Sequence, residues 1–183
     1  MSEEMIIKHC SPTLAGIKTG SLFNCSCESE KNLLEDIRSL NRVLTKRGVR
    51  ILPVKFFEKR ALIYLYRPKK LARDLSDSNA EFLLQSCGYF SARADQCVVR
   101  LVKRLREASE FPHEIGLFLG YPAEDVKGFM ENGGKHCKCT GYWKVYSSED
   151  RARRLFEKYR KCTEIYTRRC AEGIPIHRLT VAG

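Results

Sequence analysis

Histidines, cysteines and lysines placed beside prolines and glycines are the side chains of this chain whose types and spacing could do chemistry. The richest span, Pro112 to Tyr146, combines a His-Glu pair, a Gly-Tyr-Pro elbow, a Cys-Lys-Cys triplet and the only tryptophan. Neither amphipathicity nor turn chemistry requires that combination, so a site should be sought there. The span matches no catalytic signature with a known mechanism.

Cys10 and His9 precede Ser11-Pro12, a pair typical of a helix start. A helix beginning at Pro12 would place the Cys10 thiol beside free amides and the positive end of the dipole, which favour a thiolate or a bound anion. Cys10 would then be a candidate nucleophile with His9 or His113 as its base. The favoured alternative is a small buried thiol beside a solvent-facing histidine, because no third orienting group can be identified.

His113 and Glu114 follow Pro112, which predicts a second helix start. The dipole would hold the His113 imidazole neutral, able to accept a proton, polarise a carbonyl or bind a metal. Glu114 would point about 100° around the helix, so the pair is not the arrangement of a zinc protease. A catalytic pair and an ordinary surface helix start remain equally balanced interpretations.

Two Cys-x-Cys pairs, Cys25 with Cys27 and Cys137 with Cys139, lie in loop-like segments, and His136 adjoins the second pair. Thiolate and imidazole ligands suit a soft metal such as zinc or iron. Structural zinc sites, however, usually leave two or more residues between paired cysteines. A shared metal site is therefore the less favoured interpretation.

Two lysines and two tyrosines could line a site for an anionic ligand. Tyr121 precedes a proline and should be extended, which can present its ring and hydroxyl to a cleft. Lys144 is expected beside Tyr146 on the strand face opposite Trp143, and Lys18 lies in a glycine-containing segment. The alternative for Tyr121 is a ring packed over the junction of two helices. The alternative for Lys144 and Tyr146 is an ordinary exposed strand face.

Helices must position most of these side chains, because turn residues and amphipathic stripes alternate along the chain. The sequence predicts helices at Ser11 to Thr19, Glu30 to Lys46, from Pro68, from Ser76 to Cys87, Ala94 to Ala108, Pro112 to Gly120, Pro122 to Asn132 and Ser147 to Ala171.

The predicted sheet centres on a hairpin of residues 49–57 and 60–66, since only Glu58-Lys59 separates two runs of strand-forming residues. Pro53 lacks an amide donor, so the first strand should be an edge strand or bulged. Thr140 to Tyr146 and Ile176 to Val181 are also expected as strands. The fold class is therefore α+β: a single compact domain, residues 1–183, mostly helical around a small antiparallel sheet.

The composition is that of a globular protein, with 43% hydrophobic and 30% charged residues and no run approaching the roughly 18 apolar residues of a membrane span. Nine cysteines without a secretory signature favour a reducing, cytoplasmic setting. The net charge of +11 is compatible with nucleic acid, but no nucleic-acid-binding motif accompanies it, so solvated helix faces are favoured.

Several long motifs resemble a bacterial family, domain of unknown function 3793, over essentially the whole chain: HCSPTLAGIKTGSLF, RGVRILPVKF, FPHEIGLFLGYPAEDVKGFMENGG, GYWKVY and YRKCTEIY. The resemblance implies a small cytoplasmic single-domain protein, found mostly in anaerobic bacteria, with no assigned activity. Its motifs include His9, Pro12, Thr13, Lys18, His113, Glu114, Tyr121, Asp125, Trp143, Lys144, Tyr146 and Cys162. Cys10, Cys25 and Cys27 are not firm positions of the family pattern. The resemblance therefore favours the histidines over the thiols as site residues.

The leading hypothesis is a small-ligand, anionic-cofactor or metal-binding module whose site gathers His9, Lys18, His113, Glu114 and Lys144. A thiol- or histidine-dependent group-transfer or hydrolytic enzyme is the first alternative, with His113 as general base. A basic nucleic-acid-binding protein is the second alternative. Convergence of the five side chains in one pocket would support a site.

Overall fold

Nine α-helices surround a three-stranded antiparallel sheet and a two-stranded ribbon in the computed structural model, which describes residues 1–90, 93–107 and 110–183. This is the expected α+β class. The helices are α1 (Glu3–Leu14), α2 (Glu30–Leu44), α3 (Pro68–Leu75), α4 (Ser78–Ser86), α5 (Ala94–Glu107), α6 (Ile115–Phe118), α7 (Ala123–Asn132), α8 (Glu149–Ala171) and α9 (Ile176–Leu179). The strands are β1 (Gly20–Ser26), β2 (Arg50–Phe57), β3 (Arg60–Tyr66), β4 (Cys139–Thr140) and β5 (Lys144–Val145).

The three-stranded sheet has the order β1-β3-β2, so β3 is central. Alternate β3 side chains enter two different cores: Ala61, Ile63 and Leu65 pack on one face, and Leu62, Tyr64 and Tyr66 on the other. A strand covered on both faces must be apolar throughout, which explains the unbroken ALIYLY run. One core lies mainly under α1 and α2, and the other lies under α3 to α7.

The predicted hairpin is confirmed, with β2 and β3 antiparallel on either side of Glu58-Lys59. β2 is an edge strand whose register shifts between Pro53 and Lys55, as the missing proline amide required. β1 was not expected. It pairs antiparallel with β3 and buries Phe23 and Cys25 while Asn24 faces solvent.

The helix start predicted at Ser11-Pro12 is wrong, because α1 already begins at Glu3. Ser2 is the N-cap and accepts from the amide of Met5, and Pro12 lies inside the last turn. Pro12 has no amide to donate to the Lys8 carbonyl, so α1 loses one intrahelical hydrogen bond there. Cys10 is therefore an interior helix residue, and no helix start acts on its thiol.

Three further local expectations are corrected. α6 is only four residues long and begins after His113 and Glu114, which lie in the preceding turn. The span expected as one strand, Thr140 to Tyr146, instead contributes to the β4–β5 ribbon, which turns where the Gly141 amide donates to the Trp143 carbonyl at 3.0 Å. Ile176–Leu179 is a short helix, not a closing strand.

For the remaining helices, most of the predicted first and last residues lie close to the observed ones. α2 is followed by a single 3-10 turn, Thr45–Arg47, and by Gly48 in the left-handed conformation. Asp77 caps α4, and Ser148 is the N-cap of α8. The end expected for α5, Ala108, lies outside the described residues. Among the helices that are described, none combines the length and the apolar character needed to span a membrane.

Candidate ligand-binding site

Lys18 lines a cavity of about 550 Å³ that is assembled from four distant parts of the chain. We call it the lysine cavity. Its wall includes the segment between α1 and β1, the facing ends of α3 and α4, the turn from α6 into α7, and the first turns of α8. The residues with polar side chains on this wall are Lys18, Thr19, Lys70, Asp74, Asp77, Tyr121, Glu124, Asp125, Trp143, Ser147, Ser148, Arg151 and Tyr159.

Backbone contacts hold Lys18 in place. α1 ends at Ala15, Gly16 turns the chain at φ 76°, and the Lys18 amide then donates to the Pro12 carbonyl at 3.0 Å. The following segment packs so tightly that a Cβ on Gly20 would lie 2.6 Å from the Phe118 carbonyl oxygen. Only glycine permits this approach, and it brings Lys18 against the turn that follows α6.

The Lys18 ammonium is buried, with 7% of the residue exposed. Its Nζ donates to the Gly20 carbonyl at 2.5 Å and lies 5.4 Å from the centroid of the Tyr121 ring. In the described part of the chain, no carboxylate lies within ion-pair distance of it. Burial lowers the pKa of Lys18 to about 8, although nearby Cys10 opposes the change.

Two long helices direct their N-terminal ends at the lysine cavity. α7 follows Pro122 and α8 follows Ser148, and neither N-cap side chain bonds to the first-turn amides. Free amides and the positive end of the dipole favour an anion at such a position. Lys70 from α3 and Arg151 from α8 add two cationic side chains to the same wall.

Three of the four carboxylates on this wall are engaged within the protein, and the fourth, Glu124, is exposed in the first turn of α7. Asp125 accepts from the Trp143 indole at 2.7 Å and from the amides of Tyr146 and Ser147 at 2.8 and 2.7 Å. Asp77 caps α4, and Asp74 accepts from the Thr19 hydroxyl. These three carboxylates therefore hold the wall together, whereas Lys18 has no carboxylate partner among the residues that the structure describes.

Cys10 lies behind Lys18 in the core under α1, with its thiol fully buried. Burial raises the pKa of this thiol to about 12, although Lys18 and a hydrogen bond with Ser21 oppose the rise. The Thr13 and Ser21 hydroxyls lie 2.9 Å apart in the same buried region. A protonated, buried thiol is a poor nucleophile.

His113 and Lys144 come together in a second cavity, of about 410 Å³, which we call the apolar cavity. His113 is exposed, and its ring packs edge-on against Phe129 at 4.9 Å. The Lys144 Nζ donates to the Gly134 carbonyl at 2.7 Å. Tyr121 and Trp143 stack at 4.7 Å and belong to the walls of both cavities.

The other candidates lie elsewhere. His9 is exposed on α1 and stacks on Phe23. Partial desolvation and, second, the charge of Lys8 lower the pKa of its imidazole. Glu114 is buried, where it accepts from the Tyr89 hydroxyl at 3.0 Å and lies 2.8 Å from the Arg104 Nε.

Tyr146 lines neither cavity. Its hydroxyl is covered and makes no hydrogen bond to the residues that the structure describes. A Cβ on Gly128 would lie 2.5 Å from its ring, so the ring fills space beside α7. The structure thus divides the five-residue group: Lys18 lines the lysine cavity, His113 and Lys144 line the apolar cavity, and His9 and Glu114 have other packing partners.

The two Cys-x-Cys pairs lie in different surroundings. Cys25 and Cys27 are buried in the core under α1 and α2. Cys137 and Cys139 are half-buried, and His136 beside them is exposed with a left-handed φ of 57°. No three His, Cys, Asp or Glu side chains form a potential metal-binding group within the described ranges.

Sequence reasoning found Lys18 and Tyr121 but missed Lys70, Asp74 and Arg151. Lys70 and Arg151 belong to basic helical segments in which nothing local distinguishes them from solvated lysines and arginines. The starts of α7 and α8 were predicted and were the one available signal, but the sequence did not show that their first-turn amides lack a side-chain cap. Their convergence depends on tertiary packing.

A protein-family comparison matches residues 6–180 to the family described as "Protein of unknown function (DUF3793)". No curated protein and no solved structure matches the chain.

Proposed function

The chain belongs to the DUF3793 family, and we propose that it is a binding module for a small anionic ligand held in the lysine cavity. The observation that carries the proposal is the buried Lys18 ammonium. It faces this cavity with a carbonyl and an aromatic ring as partners, and with no carboxylate among the described residues within ion-pair distance. Burying an unpaired ammonium costs free energy, and a bound anion offsets that cost.

The cavity wall supports the same proposal. The uncapped starts of α7 and α8 supply amide donors, and Lys70 and Arg151 supply further positive charge. Asp74, Asp77 and Asp125 are engaged with protein donors. A phosphate or carboxylate group fits this donor set, because both are oxygen acceptors with diffuse negative charge.

The alternatives draw less support from the same residues. A thiol-dependent enzyme would need Cys10 accessible, and its thiol is buried in the core. A metal-binding version would need several ligating side chains together, and the described residues contain no such group. A cytoplasmic location belongs to our proposal, since the buried free thiols Cys10, Cys25 and Cys27 suit a reducing compartment.

Inorganic phosphate and succinate are the probes that test the proposal. We expect each to raise the melting temperature of the wild-type protein in proportion to its concentration, because a ligand that binds only the folded state stabilises it. Lys18→Met should weaken the affinity, measured by calorimetric titration, at least tenfold. Lys144→Met is the matched control, because Lys144 also bonds to a backbone carbonyl but lies in the other cavity.

Equal affinity in the wild type and Lys18→Met would contradict the proposal. So would the absence of any shift with either anion at millimolar concentration. Lys18→Met removes a buried charge and leaves a side chain of similar length, so the variant should fold.

A further inference from the structure

The surroundings of Lys18 suit a covalent role as well as an electrostatic one. We infer that Lys18 is a nucleophile that condenses with the carbonyl group of a small 2-oxo acid or aldehyde acid, forming an imine in the lysine cavity. This inference rests on the proposed function, because the cavity would hold the carboxylate of the same compound. It adds the chemical class of the ligand and a reaction step.

The position of the amine carries the inference. Nζ is fixed at one point by its hydrogen bond to the Gly20 carbonyl, and the side chain lies under the Tyr121 ring. A neutral amine in this position uses one N–H for that bond and keeps its lone pair for attack. The cavity of about 550 Å³ beside it has room for a small carbonyl compound.

Electrostatics make the neutral amine available. Burial lowers the pKa of Lys18 to about 8, so near that pH about half of the molecules carry the reactive neutral amine. Desolvated lysines of this kind are the ones that proteins use to form Schiff bases. A surface lysine at the ordinary pKa of 10.5 is almost entirely charged under the same conditions.

Other groups on the wall complete the arrangement. The carboxylate of the compound would be bound by the cationic side chains of Lys70 and Arg151 and by the amides of the first turn of α8. Two groups beside Lys18, the Cys10 thiol and the Tyr121 hydroxyl, stay protonated, since burial raises the pKa of each to about 12. The Tyr121 hydroxyl moreover donates to the Tyr142 carbonyl at 3.1 Å.

The step balances without an oxidant or reductant. The amine lone pair forms a C–N bond to the carbonyl carbon while the carbonyl π electrons move to oxygen, which takes up a proton. The resulting carbinolamine loses its hydroxyl as water, using one proton from the nitrogen and leaving a C=N bond to Nζ. Hydrolysis reverses each step.

Reductive trapping tests the inference. The wild-type protein is incubated with glyoxylate or pyruvate and cyanoborohydride, and adducts are located by peptide mass spectrometry. We expect Lys18 to be modified at least ten times faster than Lys144, with the rate rising as the pH passes 8. Inorganic phosphate should slow the modification of Lys18 by competing for the same cavity.

Two variants provide the control. Lys18→Arg should lose the fast adduct because a guanidinium forms no imine under these conditions, and Lys144→Arg should retain it. Equal rates at Lys18 and at exposed lysines would overturn the inference, as would a fast adduct in Lys18→Arg.

Binding measured in parallel separates the two proposals. If phosphate binds in a Lys18-dependent way and no fast adduct forms, the imine is refuted and the binding module stands. If neither occurs, both are refuted.

Discussion

At the scale of single residues, Lys18 is the position where the protein bears an electrostatic cost that packing does not explain. Burying an ammonium without a carboxylate costs on the order of several kcal/mol. Arg67 is also buried, but its guanidinium donates to several carbonyl acceptors, whereas the Lys18 ammonium has one acceptor within the described ranges. Groups with a strongly shifted pKa in a cavity are concentrated at functional sites, which is the physical reason to prefer Lys18 over the histidines.

The pH dependence of stability tests the burial of Lys18. Its pKa is about 8 in the folded protein against 10.5 for an exposed lysine, so between these values the unfolded chain binds a proton that the folded protein has released. Stability from this group must therefore rise with pH. We expect the free energy of unfolding of the wild type, relative to Lys18→Met, to rise by about 1 kcal/mol between pH 8 and 9. Urea denaturation measures it.

Taking the difference in free energy of unfolding between the wild type and Lys18→Met cancels the opposite pH dependence that the buried thiols cause. The raised pKa of Cys10 makes stability fall above about pH 9, and this contribution is present in both proteins. A constant difference between wild type and Lys18→Met over this pH range would show that the Lys18 pKa is not lowered. Lys144→Met provides the comparison for a half-buried lysine.

At the scale of elements, the turn between α6 and α7 fixes the distance between Lys18 and Tyr121. Gly120 has a φ of 78°, and a Cβ on it would lie 2.5 Å from the Thr19 Oγ1. Thr19 in turn donates to Asp74 on α3. The turn, the segment before β1 and α3 thus form one packed unit around the lysine cavity.

Gly120→Ala tests this unit against a matched control, Gly173→Ala. Gly173 has a similar φ of 82° but no atom within 4 Å of its Cβ position. Both changes should cost about 1 kcal/mol for the left-handed backbone. Gly120→Ala should lose roughly a further 1–3 kcal/mol from the clash with Thr19 and should also weaken phosphate binding. Equal losses in the two variants, measured by urea denaturation, would show that the contact is not tight.

Elements with strong local signals were predictable from sequence. α2 has a regular apolar stripe and a glycine end, and the hairpin of β2 and β3 is marked by its two-residue turn. β1 was missed because its short GSLFNCS run lacks a continuous strand pattern, and its pairing with β3 is a long-range contact. α1 was misplaced because Ser11-Pro12 imitates a start, although Ser2 is the cap.

The site was predictable only in part for the same reason. Lys18 and Tyr121 could be selected by residue type and by their glycine and proline neighbours. The division of the candidates between two cavities depends on how Tyr121 and Trp143 stack as a common wall. Glu114 was one of the catalytic candidates, but the sequence could not reveal that Arg104 and Tyr89 would engage it.

At the scale of the whole molecule, Arg67 joins the ends of three elements. It follows β3, its Nε donates to the Thr13 carbonyl at 2.6 Å, and its Nη2 donates to the Leu14 carbonyl at 2.6 Å and to the Val181 carbonyl at 2.7 Å. Thr13 and Leu14 are the last residues of α1, where the dipole favours a cation. The Val181 amide donates to the Leu14 carbonyl, so the final segment is bound to the same point.

Arg67→Met should therefore destabilise the protein globally. It removes three hydrogen bonds from the guanidinium to carbonyl oxygens, each worth about 1 kcal/mol, so we expect the free energy of unfolding in urea to fall by about 2–4 kcal/mol. The Val181 amide should exchange with deuterium much faster than in the wild type, because its segment loses one of its two anchors. Arg153→Met is the control, since exposed Arg153 pairs with neighbouring Glu149 and such pairs contribute less than about 1 kcal/mol. A loss in Arg67→Met no larger than in this control would refute the joining role of Arg67, because three hydrogen bonds from a buried guanidinium should contribute more than one exposed ion pair.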